Sequence, residues 1–270
     1  MGEDFLVLLL AFTFLSSHLL QNAIGLFLLQ ISFWCIYEIG YIENDIIGEK
    51  FEDKAVLSYN YNSYHYSFQL WQPWVWAAIL SALGIAILSQ DLAIEGANIS
   101  SELFNQYDFQ YSFQMFQISR GLIYWFSFLL ALRFLFHIYN HINKQSRVWF
   151  YLLLQSCRYC GYLVLLTTNT VGLVLLVSKV IIRSVQYVLY RYMGGKGSDW
   201  PMSFPRYFFY LLIYLFILGA IALNERNIAL VFNYQVLAII GFCLIRGAKH
   251  FQKVFFQLNH VRKDSSNRVI

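Results

Sequence analysis

The sequence predicts an all-α fold: a polytopic bundle of about eight to nine transmembrane helices with both termini in the cytoplasm. Three observations carry that reading. Of the 270 residues, 59% are hydrophobic and only 13% charged, and the mean hydropathy is +0.51, whereas a soluble domain is nearer half apolar and about a quarter charged. Apolar runs of about 20 residues recur along the chain, each long enough to cross a hydrocarbon core roughly 30 Å thick. The basic residues flank those runs, mostly on one side of them. This composition excludes an ordinary soluble enzyme, a disordered chain and a nucleic-acid module. The net charge of +4 therefore speaks to membrane orientation.

Taken in order, the apolar stretches are 5–20, 23–41, 71–89, 121–139, 148–166, 171–190, 207–223 and 228–245. The first is preceded by Gly2, Glu3 and Asp4 with no basic n-region, so it is expected to be a retained helix, not a cleaved signal. An even number of spans places both termini on one side. With that side cytoplasmic, Lys50, Lys54, Lys144, Arg147, Arg191, Lys196, Arg206, Arg246 and the basic residues beyond face inward, and only Arg120 and Arg226 face outward. The connection 90–119 carries Asp91, Glu95, Glu102 and Asp108 and no Lys or Arg, as suits an external loop. Trp71, Trp74, Trp76, Trp149 and Trp200 fall near the cytoplasmic interface and read as an anchoring belt. Residues 1–246 form the expected transmembrane domain. Residues 247–270 form a basic cytoplasmic tail, whose mixture of Lys249, Lys253, Arg262 and Lys263 with Val254, Phe255 and Phe256 suits an anionic leaflet.

The chemistry-bearing stretch is 38–53, where the second span leaves the membrane. On a continuing helix Glu38, Tyr41, Asp45, Glu49 and Glu52 recur at steps of three and four and share one face. Asp45, Glu49 and Asp53 follow one another at steps of four, so neighbouring carboxylates repel unless a cation bridges them. Hard oxygen ligands of this kind suit Mg²⁺, which takes one or two carboxylates and completes its shell with water and phosphate oxygens. The alternative is a solvated acidic loop neutralised by Lys50 and Lys54.

Inside the spans stand Arg133, Arg158, Lys179 and Arg183, with Glu38 as the one acidic residue counted beside them. Charges at bilayer depth are costly and face a partner or a watery cavity, so an anionic ligand is expected. Arg133 and His137 share a face of the fourth span, and Lys179, Arg183 and Gln186 share a face of the sixth, with Tyr187 beside them. Arg158 and Lys179 are placed nearer the midplane. Carboxylates at the mouth with cations beneath describe a pocket for Mg²⁺ and a phosphorylated lipid such as a prenyl diphosphate. Snorkelling is the alternative for any one of these cations.

At these residues the chain resembles the UbiA superfamily of intramembrane prenyltransferases, whose members carry an Asp-rich motif at the cytoplasmic end of the second helix. Asn44 and Asp45 begin such a motif and Glu49 and Asp53 continue it. The resemblance implies Mg²⁺ held by Asp45, Glu49 and Asp53, and a catalytic set of Asn44, Asp45, Arg133, Lys179 and Arg183. It further implies contacts to a prenyl diphosphate from Glu38, Tyr41, His137, Arg158, Gln186 and Tyr187. The family's second Asp-rich motif is reduced here to Asp199 in the loop 193–206, so Lys179, Arg183, Arg191 and Lys196 are expected to hold the diphosphate directly. A transporter or a lipid-binding subunit for an anionic lipid is the rival class.

Two smaller features complete the reading. Cys157 and Cys160 have C-x-x-C spacing in the middle of an apolar run and read as buried helical cysteines. His137 and His141 stand one turn apart without an H-E-x-x-H context, and read as an interfacial polar face unless a third ligand joins them.

Overall fold

The computed structural model describes residues 2–14, 16, 18–51, 57–58, 61, 69, 71–100, 106–143, 145–192 and 206–248, with backbone only over 90–100, 106–116 and at 190. The described residues are helical, with no strand among them. The helices are α1 (Gly2–Phe12), α2 (Leu19–Phe51), α3 (Trp71–Ser100), α4 (Gln106–His141), α5 (Arg147–Cys160), α6 (Thr170–Tyr192), α7 (Arg206–Asn224) and α8 (Tyr234–Ala248). Short 3₁₀ turns lie at Gly161–Val164 and Ile228–Leu230.

Among the described residues five helices are long and apolar enough to cross a membrane: Leu19–Phe51, Trp71–Ser89, Gln117–His141, Thr170–Leu189 and Arg206–Asn224. Their outward faces are apolar, with Leu20, Leu83, Leu130, Leu173 and Phe216 all exposed, as lipid contact requires. Trp71, Trp76 and Trp149 are also exposed, each at or near a helix start.

The other three expected spans are shorter than their apolar runs, for local reasons. The first helix stops at Phe12 because Ser16 Oγ accepts hydrogen bonds from the His18 backbone N–H (3.1 Å) and from Asn22 Nδ2 (2.6 Å), a side-chain turn that competes with helix continuation. The fifth ends at Cys160, and the chain passes through a 3₁₀ turn before Asn169 Oδ1 caps the Gly172 N–H of α6 at 2.8 Å. In the eighth, Asn233 Oδ1 caps the Val236 N–H at 2.9 Å, so the helix begins at Tyr234 and not at 228. The 14 residues of α5 rise only about 21 Å, too little to cross alone.

The chain divides into two compact units, Met1–Thr167 and Thr168–Ile270, a division that falls inside the stretch expected as one transmembrane domain. In the first unit α2 is the central pillar. It runs antiparallel to α3, with Gln21 Nε2 donating to the Ile87 carbonyl and Ser32 Oγ to the Ala77 carbonyl. It runs parallel to α4, where Trp125 Nε1 donates to Ser32 Oγ at 3.0 Å. Small residues permit these approaches: a Cβ on Gly40 would lie 2.3 Å from the Phe136 ring, and one on Gly25 would lie 2.7 Å from Leu88. Phe33, Tyr37, Trp125, Phe136 and Tyr162 form a fully or nearly fully buried aromatic core. In the second unit α6 packs on α7, and the buried Tyr210 hydroxyl donates to the Leu175 carbonyl at 3.0 Å.

Candidate functional site

The polar end of α2 holds most of the expected metal ligands. A 33-residue helix is about 50 Å long, which carries its last turns beyond any apolar layer and sets Asn44, Asp45 and Glu49 on the exit. Asp45 is buried, and its Oδ2 accepts hydrogen bonds from Ser58 Oγ (2.6 Å) and the Ser58 N–H (3.4 Å). Glu49 is exposed, and its Oε2 accepts from the Tyr61 hydroxyl at 2.6 Å. The chain after α2 thus returns to meet both carboxylates. The Glu49 carboxylate, by accepting that bond, pushes the Tyr61 phenol above its usual range. Glu38 and Tyr41 lie further down the same helix and are exposed, and Asn44 is half-buried. Asp53 lies outside the described residues.

Around Glu43, on another side of α2, a second polar group assembles. Arg133 Nη1 donates to Glu43 Oε2 at 2.7 Å, and Asn140 Nδ2 donates both to that oxygen (2.9 Å) and to the Gly40 carbonyl (3.0 Å). His137 Nδ1 stands 3.4 Å from Glu43 Oε1, and the His141 ring lies 4.2 Å from that of His137. Arg133, His137, Asn140 and His141 form one stripe because they recur at steps of four, three and one along α4. Arg147 closes the end of this helix, donating to the Asn140 and Ile142 carbonyls at 3.1 and 3.2 Å.

A third group ties α1 to α5. Arg158 Nη2 and the Tyr159 hydroxyl both donate to the Asp4 carboxylate, and the guanidinium lies 4.7 Å over the Trp34 ring. These pairs correct the charge count made from the sequence. Arg133 and Arg158 were expected to lack protein counter-ions, and the fold supplies Glu43 to one and Asp4 to the other. Glu43 belongs to the stretch 38–53 but stands on a different face of α2 from Asp45, and Asp4 lies ahead of the first apolar run. Neither pairing has a local sequence signal, since the partners are 90 and 154 residues apart.

The remaining expected site residues belong to the second unit. Lys179 is fully buried on α6, its ammonium 4.9 Å from the Tyr210 ring centre and 5.3 Å from that of Tyr207. Gln186 Oε1 accepts from Arg206 Nε at 3.0 Å, and the Tyr187 hydroxyl accepts from Arg191 Nε at 2.9 Å. Arg183, one turn beyond Lys179, is half-buried. Lys196 and Asp199 lie outside the described residues.

The donor chemistry at the end of α2 fits Mg²⁺. Both Ser58 hydrogen bonds fall on Oδ2 of Asp45, and a carboxylate offers about four lone-pair sites, so Oδ1 keeps its capacity. Two carboxylates match the number that Mg²⁺ usually takes from a protein, water and phosphate oxygens supplying the rest. Compared with family models, curated proteins and solved structures, the chain matches none.

Proposed function

We propose that the protein is a Mg²⁺-dependent intramembrane prenyltransferase, moving an isoprenoid group from a prenyl diphosphate to an acceptor. The observation that supports this reading is Asp45: a buried carboxylate, oriented by Ser58, at the polar end of a long apolar helix, with Glu49 one turn on. Asp45 and Glu49 would hold the ion, with Asn44 beside them, and the bound ion would neutralise the diphosphate. The apolar flank of α2 below is where an isoprenoid chain would lie. Both termini and this end of α2 face the cytoplasm in the proposal, by the distribution of basic residues. Labelling of cysteines introduced at Ser100 and Ser198 should then report opposite sides.

Asp45→Asn keeps the shape and removes a charge. Mg²⁺-dependent binding of a prenyl diphosphate should weaken by about 1–3 kcal/mol, the scale of a charge-assisted contact. Unchanged binding would return the end of α2 to a solvated acidic segment.

A second reading, a binding or transport protein for an anionic lipid, draws on a different observation. Arg133 and Arg158 are already closed on Glu43 and Asp4, so in the first unit these cations reach a diphosphate only by releasing a carboxylate. The two readings part on one measurement. Folded wild-type protein that binds a prenyl diphosphate with Mg²⁺, yet transfers no prenyl group to any offered acceptor or to water and frees no diphosphate, is a carrier and not an enzyme.

A further inference from the structure

The histidine pair on α4 acquires the third ligand that its sequence context lacked. Glu43, His137 and His141 each bring one ligand atom to within 4.8 Å of the others, and no other such trio of His, Cys, Asp or Glu occurs among the described residues. The two imidazoles are exposed and Glu43 is half-buried, so one side of the trio is open.

Three geometric details favour an ion over a plain ion pair. The 3.4 Å between His137 Nδ1 and Glu43 Oε1 is long for a charge-assisted hydrogen bond, which runs at about 2.7–2.9 Å. It does match the separation of two ligands on one ion, since metal–ligand bonds of about 2.0–2.2 Å at a tetrahedral angle place the ligand atoms roughly 3.4 Å apart. His141 Nδ1 lies 2.8 Å from the His137 carbonyl. A carbonyl only accepts, so Nδ1 carries the proton and the Nε2 lone pair is left to bind a metal. Finally, Arg133 and Asn140 both donate to Glu43 Oε2, which holds the carboxylate with Oε1 toward His137. Outer partners that orient a ligating histidine and a ligating carboxylate are the usual support of a metal site.

We propose that Glu43, His137 and His141 bind a divalent first-row transition-metal ion through three protein ligands, with the remaining positions open to water or an exogenous ligand. Two imidazoles and one carboxylate select Zn²⁺, Fe²⁺ and their neighbours over Mg²⁺. The site is distinct from Asp45 and Glu49 and does not depend on the transferase reading. Closing the trio requires side-chain movement on the order of 1 Å, given ligand spacings of about 3–3.5 Å around such an ion.

The test uses the full chain in detergent, stripped with a chelator and titrated with Co²⁺, whose visible absorption reports its ligands. Wild type should bind one equivalent, displaced by Zn²⁺ and not by a large excess of Mg²⁺. His141→Ala, an exposed change in the last residue of α4, should weaken binding by on the order of 100-fold while leaving thermal unfolding in place. Asn140→Ala, which frees the Glu43 carboxylate, should weaken it by about 10-fold. Glu43→Gln should abolish the visible bands, and its unfolding curve is recorded alongside because it also uncovers Arg133. The proposal is overturned if wild type shows no visible Co²⁺ bands, or if the bands persist in His141→Ala. It is equally overturned if intense near-ultraviolet absorption shows Co²⁺ on the four free cysteines.

Discussion

The two units of the chain carry charge in opposite ways. Residues 1–167 hold seven basic and twelve acidic residues, a net charge of −5, while residues 168–270 hold twelve basic and three acidic, a net charge of +9. The first unit therefore has carboxylates to spare, and it spends two of them on Arg133 and Arg158 inside the bundle. In the second unit most cations must find something other than a carboxylate of their own unit. Lys179 lies against the faces of Tyr207 and Tyr210, and Arg191 lies 5.2 Å over the Tyr187 ring. The lesson is that a cation buried in an apolar helix does not by itself announce a ligand: a carboxylate distant in sequence can pair with it, as Glu43 and Asp4 do here.

The comparison is strained hardest by removing a carboxylate from the first unit. Asp4→Ala strips Arg158 of its partner and Tyr159 of its acceptor, and breaking a buried pair from one side costs about 3–5 kcal/mol. Thermal unfolding in detergent should fall accordingly. The double variant Asp4→Ala with Arg158→Met should recover much of the loss, because no unpaired charge then remains. A single variant as stable as wild type would mean that the ion pair does not tie α1 to α5.

Packing gives the next contrast. In the first unit Gly40 faces the Phe136 ring and Gly161 the Phe128 ring, at 2.3 and 2.2 Å from where a Cβ would stand. Gly40→Ala should destabilise by about 1–3 kcal/mol through overpacking. In the second unit a Cβ on Gly219 meets nothing within 4 Å among the described residues, so Gly219→Ala should gain up to about 1 kcal/mol of helix propensity. Unfolding shifts of opposite sign would sharpen the distinction between a close-packed first unit and a looser α7. A loss at Gly219 would erase it.

Lys179→Met asks what an ammonium buried beside two aromatic rings contributes. The substitution forfeits a desolvated cation–π contact of about 2 kcal/mol but also removes the cost of burying an ammonium. The net change should lie within about 1 kcal/mol, far below that of Asp4→Ala, as read by unfolding midpoint. A loss as large as that of Asp4→Ala would show that contacts other than the two rings hold Lys179 in place.

What the sequence could reveal follows from the range of the interactions. The helical class was legible because hydropathy is a sum over 20 neighbouring residues, and the five long helices fall where apolar runs predict them. The three short helices were not. Ser16 beyond the first and Asn233 ahead of the last act through side-chain hydrogen bonds that hydropathy averaging hides. At the site, the stripe of Arg133, His137 and His141 was visible from spacing within one helix. The roles of Glu43 and Asp4 were not, because they arise from which faces of α2 and α1 the fold turns toward α4 and α5.

The smallest expected effect concerns the chain that returns to α2. The hydrogen bond from the Tyr61 hydroxyl to Glu49 favours the neutral phenol, so the phenol titrates above its ordinary value of about 10. The sign follows from linkage: a group whose folded-state value is raised contributes its stabilisation fully below the unfolded value, and loses it as pH climbs through the folded one. The contact is therefore intact at neutral pH and releases only in alkali. Glu49→Gln removes the charge that opposes phenolate formation, so the Tyr61 titration should move down toward the ordinary range. Tyrosinate absorbance provides the reading, with Tyr61→Phe subtracted to isolate one phenol from the 20 tyrosines of the chain. Added Mg²⁺ gives the sharper version. An ion that engages Glu49 should compete with the Tyr61 hydroxyl and lower its titration in wild type but not in Glu49→Gln. A titration indifferent to both changes would mean that Tyr61 does not rest on Glu49, leaving Ser58 on Asp45 as the tie to the end of α2 among the described residues.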